Sequence, residues 1–204
     1  MEPFVTLKAV AAPCDLANVD TDRLVPARFL RYPRAAGFGQ YLFHDARQDP
    51  AFFINNPAWK GAQILVAAEN FGCGSSREAA VWALADAGFR AWIAPSFGEI
   101  FHENSFKNGK LPIMLPAARA ARIRAMLAAQ PGAELAIDLH SQTITLPDGS
   151  VENFDIDLFR KECLLNGWDD IDMTLRHSDA IAEYEARQRS EAPWLGDGAA
   201  RDSA

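Results

Sequence analysis

The stretch "AQILVAAENFGCGSSREAAVWALADAG", residues 62–88, decides the fold. Its opening, "AQILVAA", is a short continuous apolar run, the pattern of a buried strand. Its close, "REAAVWALADAG", places apolar residues at helical spacing and ends on a glycine, a usual helix stop. Between the two, Gly72, Gly74, Ser75, Ser76, Arg77 and Glu78 crowd into one strand-to-helix turn. A polar, glycine-rich passage from strand to helix is a mark of α/β structure. It also presents backbone N–H groups at a helix N-terminus, where negative charge is favoured.

Outward from this turn the α/β pattern continues. The strand near 63–68 and the helix near 76–87 are followed by a strand at "AWIAP", a helix at "FGEIFHENSFKNG" and, after "LPIMLP", a helix at "ARAARIRAMLAA". Residues 133–157, "AELAIDLHSQTITLPDGSVENFDID", alternate around an Asp-Gly turn and read as a hairpin. Two more helices are expected, "DLFRKECLLNG" stopped by Gly167, and "SDAIAEYEARQR" capped by Ser178 or Asp179. The first sixty or so residues are rich in Asp, Asn, Pro, Gly and Arg and read as loops, where function concentrates. The expectation is one α/β domain over residues 1–190 with mixed parallel and antiparallel strands, then a disordered tail over 191–204.

Composition narrows the function classes. The chain has 204 residues, 49% of them hydrophobic, and a net charge of −7. It carries no basic stripe of the kind that binds nucleic acid. No apolar run is long enough to span a membrane. "MEPFVTLKAV" lacks the regions of a signal peptide, so the cytoplasm is the expected compartment. Cys14, Cys73 and Cys163 are odd in number and widely spaced, and the four histidines show no paired spacing. Neither a disulfide framework nor a metal site follows from that pattern. If iron or zinc is used, another chain supplies it.

Three familiar glycine-rich turns fail on spacing. A Walker loop needs a lysine that this turn lacks. A dinucleotide fingerprint built on Gly72 and Gly74 would need a third small residue where Arg77 stands. A nucleophile elbow needs glycines flanking the serine at a spacing of two, which neither Ser75 nor Ser76 has. Two readings stay open. A serine caps the helix while Glu78 favours its first turn, or the turn holds an anion and Arg77 adds a guanidinium fork that fits a carboxylate.

"ENFGCGSSRE" resembles the active-site signature of the swivelling domain in the aconitase superfamily. "NVDTDRLVPARFL", residues 18–30, resembles that domain's first motif. "GFGQYLF", "APSFGEIFHENSF", "DLFRKECLLNG" and "LRHSDAIAEYE" extend the likeness over about residues 4–188 and make it most similar to the small-subunit family of 3-isopropylmalate dehydratases. The resemblance implies a three-layer α/β swivelling domain. It also implies a hydro-lyase that interconverts 2- and 3-isopropylmalate through isopropylmaleate, in leucine biosynthesis. A separate large subunit is implied to carry the [4Fe–4S] cluster, with no cofactor on this chain, and a small dicarboxylate is the substrate.

By motif position, the resemblance makes Ser75 the catalytic base and assigns substrate carboxylate to Ser76 and Arg77. Arg34, with Arg31 as its fallback, lies where an arginine reaches substrate, and "RYPRAAGFG" is the expected reader of the side group. Asp22 matches a residue that orients a histidine of the partner. On the residues alone, Asp20 and Asp22 are equally readable as an Asx turn. One departure is Ala79, where relatives commonly have histidine. Related substrates (citraconate, homoaconitate, dimethylmalate) and a non-catalytic anion-binding module are the alternatives.

Overall fold

The computed structural model describes residues 1–74 and 77–195. Ser75, Ser76 and residues 196–204 lie outside them. The chain divides into two compact units, Met1–Gly167 and Trp168–Ala204, where the sequence suggested one domain through 190. The first unit runs β1 (Thr6–Cys14), α1 (Thr21–Leu24), β2 (Ile64–Ala67), α2 (Glu78–Asp86), β3 (Ala91–Ala94), α3 (Glu99–Lys107), β4 (Leu111–Met114), α4 (Ala117–Ala129), β5 (Glu134–Asp138), β6 (Thr143–Thr145), β7 (Val151–Asn153) and α5 (Leu158–Asn166). The second holds α6 (Asp170–Leu175) and α7 (Ser178–Glu191), followed by a 3-10 turn at Pro193–Leu195.

Among the described residues one sheet forms, in the order β4-β3-β2-β1-β5-β6-β7. Strands β1 to β4 are parallel neighbours and β5 to β7 continue antiparallel. β1 joins the two halves: its residues Ala11–Cys14 pair with β2, and Thr6–Val10 pair with β5.

Alternation along the central strands builds two cores. Ala12, Leu65, Ala67, Trp92 and Ala94 face one way and pack with Ala80, Leu84 of α2 and Phe101 of α3. Ala11, Ile64, Val66, Ala91 and Ile93 face the other way and pack with Ile123 and Leu127 of α4 and Leu164 of α5. A sheet buried on both faces, with helices over each, is the three-layer α/β architecture expected.

Several expectations need correction. β1 lies inside the segment read as loops. The expected hairpin does form around Asp148-Gly149 between β6 and β7, and β5 adds a third strand to make a meander. α6 was not foreseen, although Asp169 and Asp172 form a capping box at its start. α7 begins at Ser178 with His177 in the cap position and no side-chain cap bond, so neither Ser178 nor Asp179 caps it. Gly167 does end α5, in the left-handed conformation (φ 71°) that glycine adopts without strain.

Candidate functional site at the carboxyl edge of the parallel strands

Parallel strands deliver their following loops to one edge of a sheet, and α/β proteins bind ligands there. Here the loops after β1, β2 and β3 are tied together at that edge. The Asn18 N–H donates to the Glu69 carbonyl (2.9 Å), Gly72 N–H to Val19 (2.7 Å) and Thr21 N–H to Cys73 (3.1 Å). From the third loop, Gly98 N–H donates to Phe71 (2.9 Å), and Phe71 N–H donates back to Ser96 (3.1 Å). Asn70, left-handed at φ 57°, donates through its side chain to Asn18 Oδ1 (2.7 Å). Two motifs about fifty residues apart in sequence thus form one backbone network.

Two glycines make this approach possible. A Cβ on Gly72 (φ +73°) would fall within the Phe101 ring, and one on Gly98 would collide with the Gly72 carbonyl. Any side chain at either place would push the turn off the edge.

The aspartates of the first motif have separate jobs. Asp20 caps α1, its carboxylate accepting from the Arg23 N–H at 2.6 Å. That is a local structural role, worth about 1 kcal/mol. Asp22, in the first turn of α1, points across to the second motif and accepts from Arg77 Nη1 at 2.6 Å. The other edge of that guanidinium is unengaged among the described residues. Arg77 itself stands at the cap position of α2, extended at φ −116°, and its side chain makes no capping bond. The cap position therefore belongs to arginine, and the reading in which Ser75 or Ser76 caps the helix falls on residues outside those described.

Arg34 is not brought to this turn. Its guanidinium forks onto Asp86 at the other end of α2, Nη1 to Oδ2 at 2.6 Å and Nη2 to Oδ1 at 2.7 Å. The same Asp86 oxygen accepts the Phe38 N–H (2.6 Å), and Arg34 lies over the Trp82 ring at 5.2 Å. Nine residues at ~1.5 Å each put that end on the order of 13 Å along the helix from Arg77. Arg31 is exposed and is held by its neighbour alone, over the Tyr32 ring at 5.1 Å with a 3.2 Å bond to its hydroxyl. Of the two arginines, Arg31 is the one without a carboxylate partner among the described residues.

Burial pushes the Asp86 carboxyl up, and the Arg34 fork with the Phe38 N–H more than offsets it, so the group sits below its ordinary value. No motif points to Asp86. One signal was available: an acid in the last turn of a helix opposes the helix dipole, so it calls for a partner. Cys14, buried at the end of β1, is pushed up to about 12 by burial and stays a thiol. Among the described residues no three His, Cys, Asp or Glu side chains group as metal ligands, so the donors there do not fit a cluster. No helix there is long and apolar enough to cross a membrane.

A parallel sheet edge with a glycine turn, a helix N-terminus and an arginine defines a class, and residues 1–118 match the family model described as the aconitase C-terminal domain. Residues 121–157 match the model described as LeuD_N, and 170–197 match the model for the C-terminal domain of the 3-isopropylmalate dehydratase small subunit. Proteins named 3-isopropylmalate dehydratase small subunit are similar along nearly the whole length. The one from Dechloromonas aromatica is 48% identical, over 96% of this chain and 99% of its own. The one from Methylibium petroleiphilum is 50% identical, over 96% and 97%. The crystal structure of 3-isopropylmalate dehydratase from Methanocaldococcus jannaschii superposes with a TM-score of 0.65 at 26% identity, covering 88% of this chain and 99% of that one. The chain belongs to the family of 3-isopropylmalate dehydratase small subunits.

Proposed function

We propose that this chain completes the active site of a heteromeric hydro-lyase that isomerises 2-isopropylmalate to 3-isopropylmalate through isopropylmaleate, in leucine biosynthesis. The observation that carries the reading is the Arg77–Asp22 pair, held by a backbone network at the carboxyl edge of β1 and β2. Asp22 engages one arm of the guanidinium and orients it, and the open edge takes a substrate carboxylate as a two-point fork. Ser75 precedes that arginine by two residues. As an alkoxide it takes the proton from the carbon α to the carboxylate in dehydration and returns one in hydration. Serine is a weak base in water, and it acts here only if N–H groups, the helix N-terminus and Arg77 stabilise its charge. Ser76 joins Arg77 on the carboxylate. Asp22 retains one oxygen for the partner's histidine.

The large subunit holds the [4Fe–4S] cluster in this reading, supported by the scattered His, Cys, Asp and Glu donors among the described residues of this chain. Arg34 anchors its loop through Asp86, and Arg31 reaches substrate from the exposed stretch 31–36. Anaerobic co-expression with the cluster-bearing subunit, assayed against a panel of 2- and 3-substituted malates, tests the proposal. Turnover of isopropylmalate above citraconate, homoaconitate and dimethylmalate supports it. A stoichiometric cluster on the isolated chain, or preference for another malate, overturns it.

A further inference from the structure

The first unit buries most of its large apolar side chains, and the exceptions gather in one place. Among its described residues five are more than half exposed, and four of these stand on neighbouring elements: Ile100 (55%), Met114 (52%), Leu158 (77%) and Phe159 (58%). They belong to the first turn of α3, the end of β4 and the first turn of α5. The three elements meet around a cavity of about 420 Å³, lined in part by His102, Phe106, Met114, Ile156, Asp157 and Arg160. Arg160 ties α5 to α3, donating from Nη2 to Glu103 at 2.5 Å and lying over the Phe106 ring at 4.6 Å. Exposed apolar residues scattered singly need no explanation, but a cluster of them marks a surface that another molecule covers.

This patch is continuous with the candidate site. Met114 pairs with Ala94, the last residue of β3, so it stands at the carboxyl edge where the site loops meet. Ile100 follows Gly98 by two residues, and Gly98 is bonded to Phe71 of the loop after β2. Asp157, the cap of α5, lines the same cavity as Met114, which brings Leu158 and Phe159 to that edge as well. The charge around the apolar residues is acidic. Glu99, Asp155 and Asp157 are exposed and carry no ion pair among the described residues.

Size decides what can cover the patch. Even at the ~250 Å² of the largest side chains, four residues at these exposures offer about 600 Å². A stable interface takes ~800 Å² from each partner. The occupant therefore reaches beyond the patch, and the surface next to it is the site edge. A second copy of this chain seated there would close off the candidate site. A subunit that completes the site covers that edge in any case.

We propose that Ile100, Met114, Leu158 and Phe159 form part of the surface on which the large subunit docks, against an apolar face with a basic rim. The inference rests on the reading in which a large subunit completes the site. Leu158 and Phe159 lie in the first turn of α5, where an added acid suits the helix dipole, so glutamate there leaves the fold intact. In the full chain, Leu158→Glu with Phe159→Glu should raise Kd for the large subunit by about ten-fold or more in an anaerobic titration. The melting temperature of the isolated chain should not change. Turnover should return to near the wild-type rate with the large subunit in excess, because neither residue belongs to the candidate site.

Val151→Glu, exposed on the opposite edge strand β7, is the control and should leave Kd unchanged. If the double variant does not fold, Ile100→Glu, in the first turn of α3, carries the same test. Sedimentation of the isolated chain is run alongside. Three results overturn the proposal: an unchanged Kd in the folded variant, an equal loss in Val151→Glu, or self-association of the isolated chain that the variant abolishes. Kd is read whichever malate is turned over. A wild-type pair that assembles but does not act on isopropylmalate therefore fails the catalytic reading and not this one.

Discussion

Helix α2 has an arginine–aspartate pair at each end, and the two differ in every respect that matters. At its carboxyl end Asp86 takes both arms of Arg34 and the Phe38 N–H, with only 22% of its side chain exposed. At its amino end Arg77 gives one arm to Asp22, whose side chain is 56% exposed. Equal short distances, 2.6 Å in each case, conceal this contrast. The first pair is saturated, partly buried and tied to a backbone N–H, so exchanging it would strand several groups. The second is open on one side and in contact with water, so a carboxylate can join it at little cost. One end of the helix fastens a loop, and the other, in the proposed function, receives the substrate carboxylate.

The largest effect that can break this contrast lies two residues before Arg77 in the sequence. Ser75→Ala, in the enzyme reconstituted with its large subunit, should lower kcat by about 10²–10⁴, the usual loss of a positioned base. Heterodimer yield should stay near wild type. Ser76→Ala is the control and should lose less. If Ser75→Ala turns over at nearly the wild-type rate, the amino end of α2 binds without doing chemistry, and the base lies elsewhere.

At the other end Asp86→Ala should destabilise the chain by about 2–3 kcal/mol, from two charge-assisted bonds lost and one N–H left unpaired. Asp86→Asn keeps an acceptor for Phe38 and should cost less. The pH dependence has a definite sign. The folded carboxyl titrates below its ordinary value, and an unfolded one near about 3.9. Its contribution is therefore complete at neutral pH and is lost as the pH falls below about 4 through the folded value. Urea unfolding of wild type and Asp86→Ala from pH 7 to pH 3 should show the gap between them closing. A gap that widens toward low pH would mean that Asp86 is not the ionised end of the clamp.

The contrast also marks how far the sequence could be read. The strand–turn–helix of residues 62–88 was legible because apolar runs and glycine have local causes, but the Arg77–Asp22 pair was not, since the motifs gave Arg77 to a substrate carboxylate and Asp22 to a histidine of the partner. β1 escaped notice because the alternation of Thr6–Val10 is short and gives way to the near-continuously buried Ala11–Cys14, and its alanines and Pro13 carry little strand preference. The Arg34 clamp was not legible as such. An arginine in a polar loop reads as free until the fold brings Asp86, fifty-two residues away, beside it. Local patterns announce elements and turns, while long-range pairing of charges follows from topology alone.

A moderate effect sharpens the proposed ligand-binding end. Arg77→Lys keeps the charge and loses the planar fork. In the reconstituted enzyme it should raise KM for isopropylmalate by about ten-fold, the scale of one charge-assisted bond. The melting temperature should hardly move. A larger loss of stability than of substrate binding would make Arg77 a structural residue like Arg34.

The smallest expected number is the most discriminating. A double-mutant cycle in urea, using Asp22→Ala and Arg77→Ala singly and together, isolates the coupling of that pair from each residue's other contacts. Both partners reach solvent, one arm alone is engaged, and salt screens the attraction, so the coupling should fall at or below about 1 kcal/mol and shrink further in 1 M sodium chloride. The same cycle on Arg34 and Asp86 should give about 2 kcal/mol and respond less to salt, because Asp86 is the more buried carboxylate and both arms are engaged. If the Asp22–Arg77 coupling equals or exceeds the Arg34–Asp86 value, the amino-terminal pair is a stabilising bridge in its own right. A substrate carboxylate would then have to disrupt it, and the open edge of Arg77 would not be the receiving site.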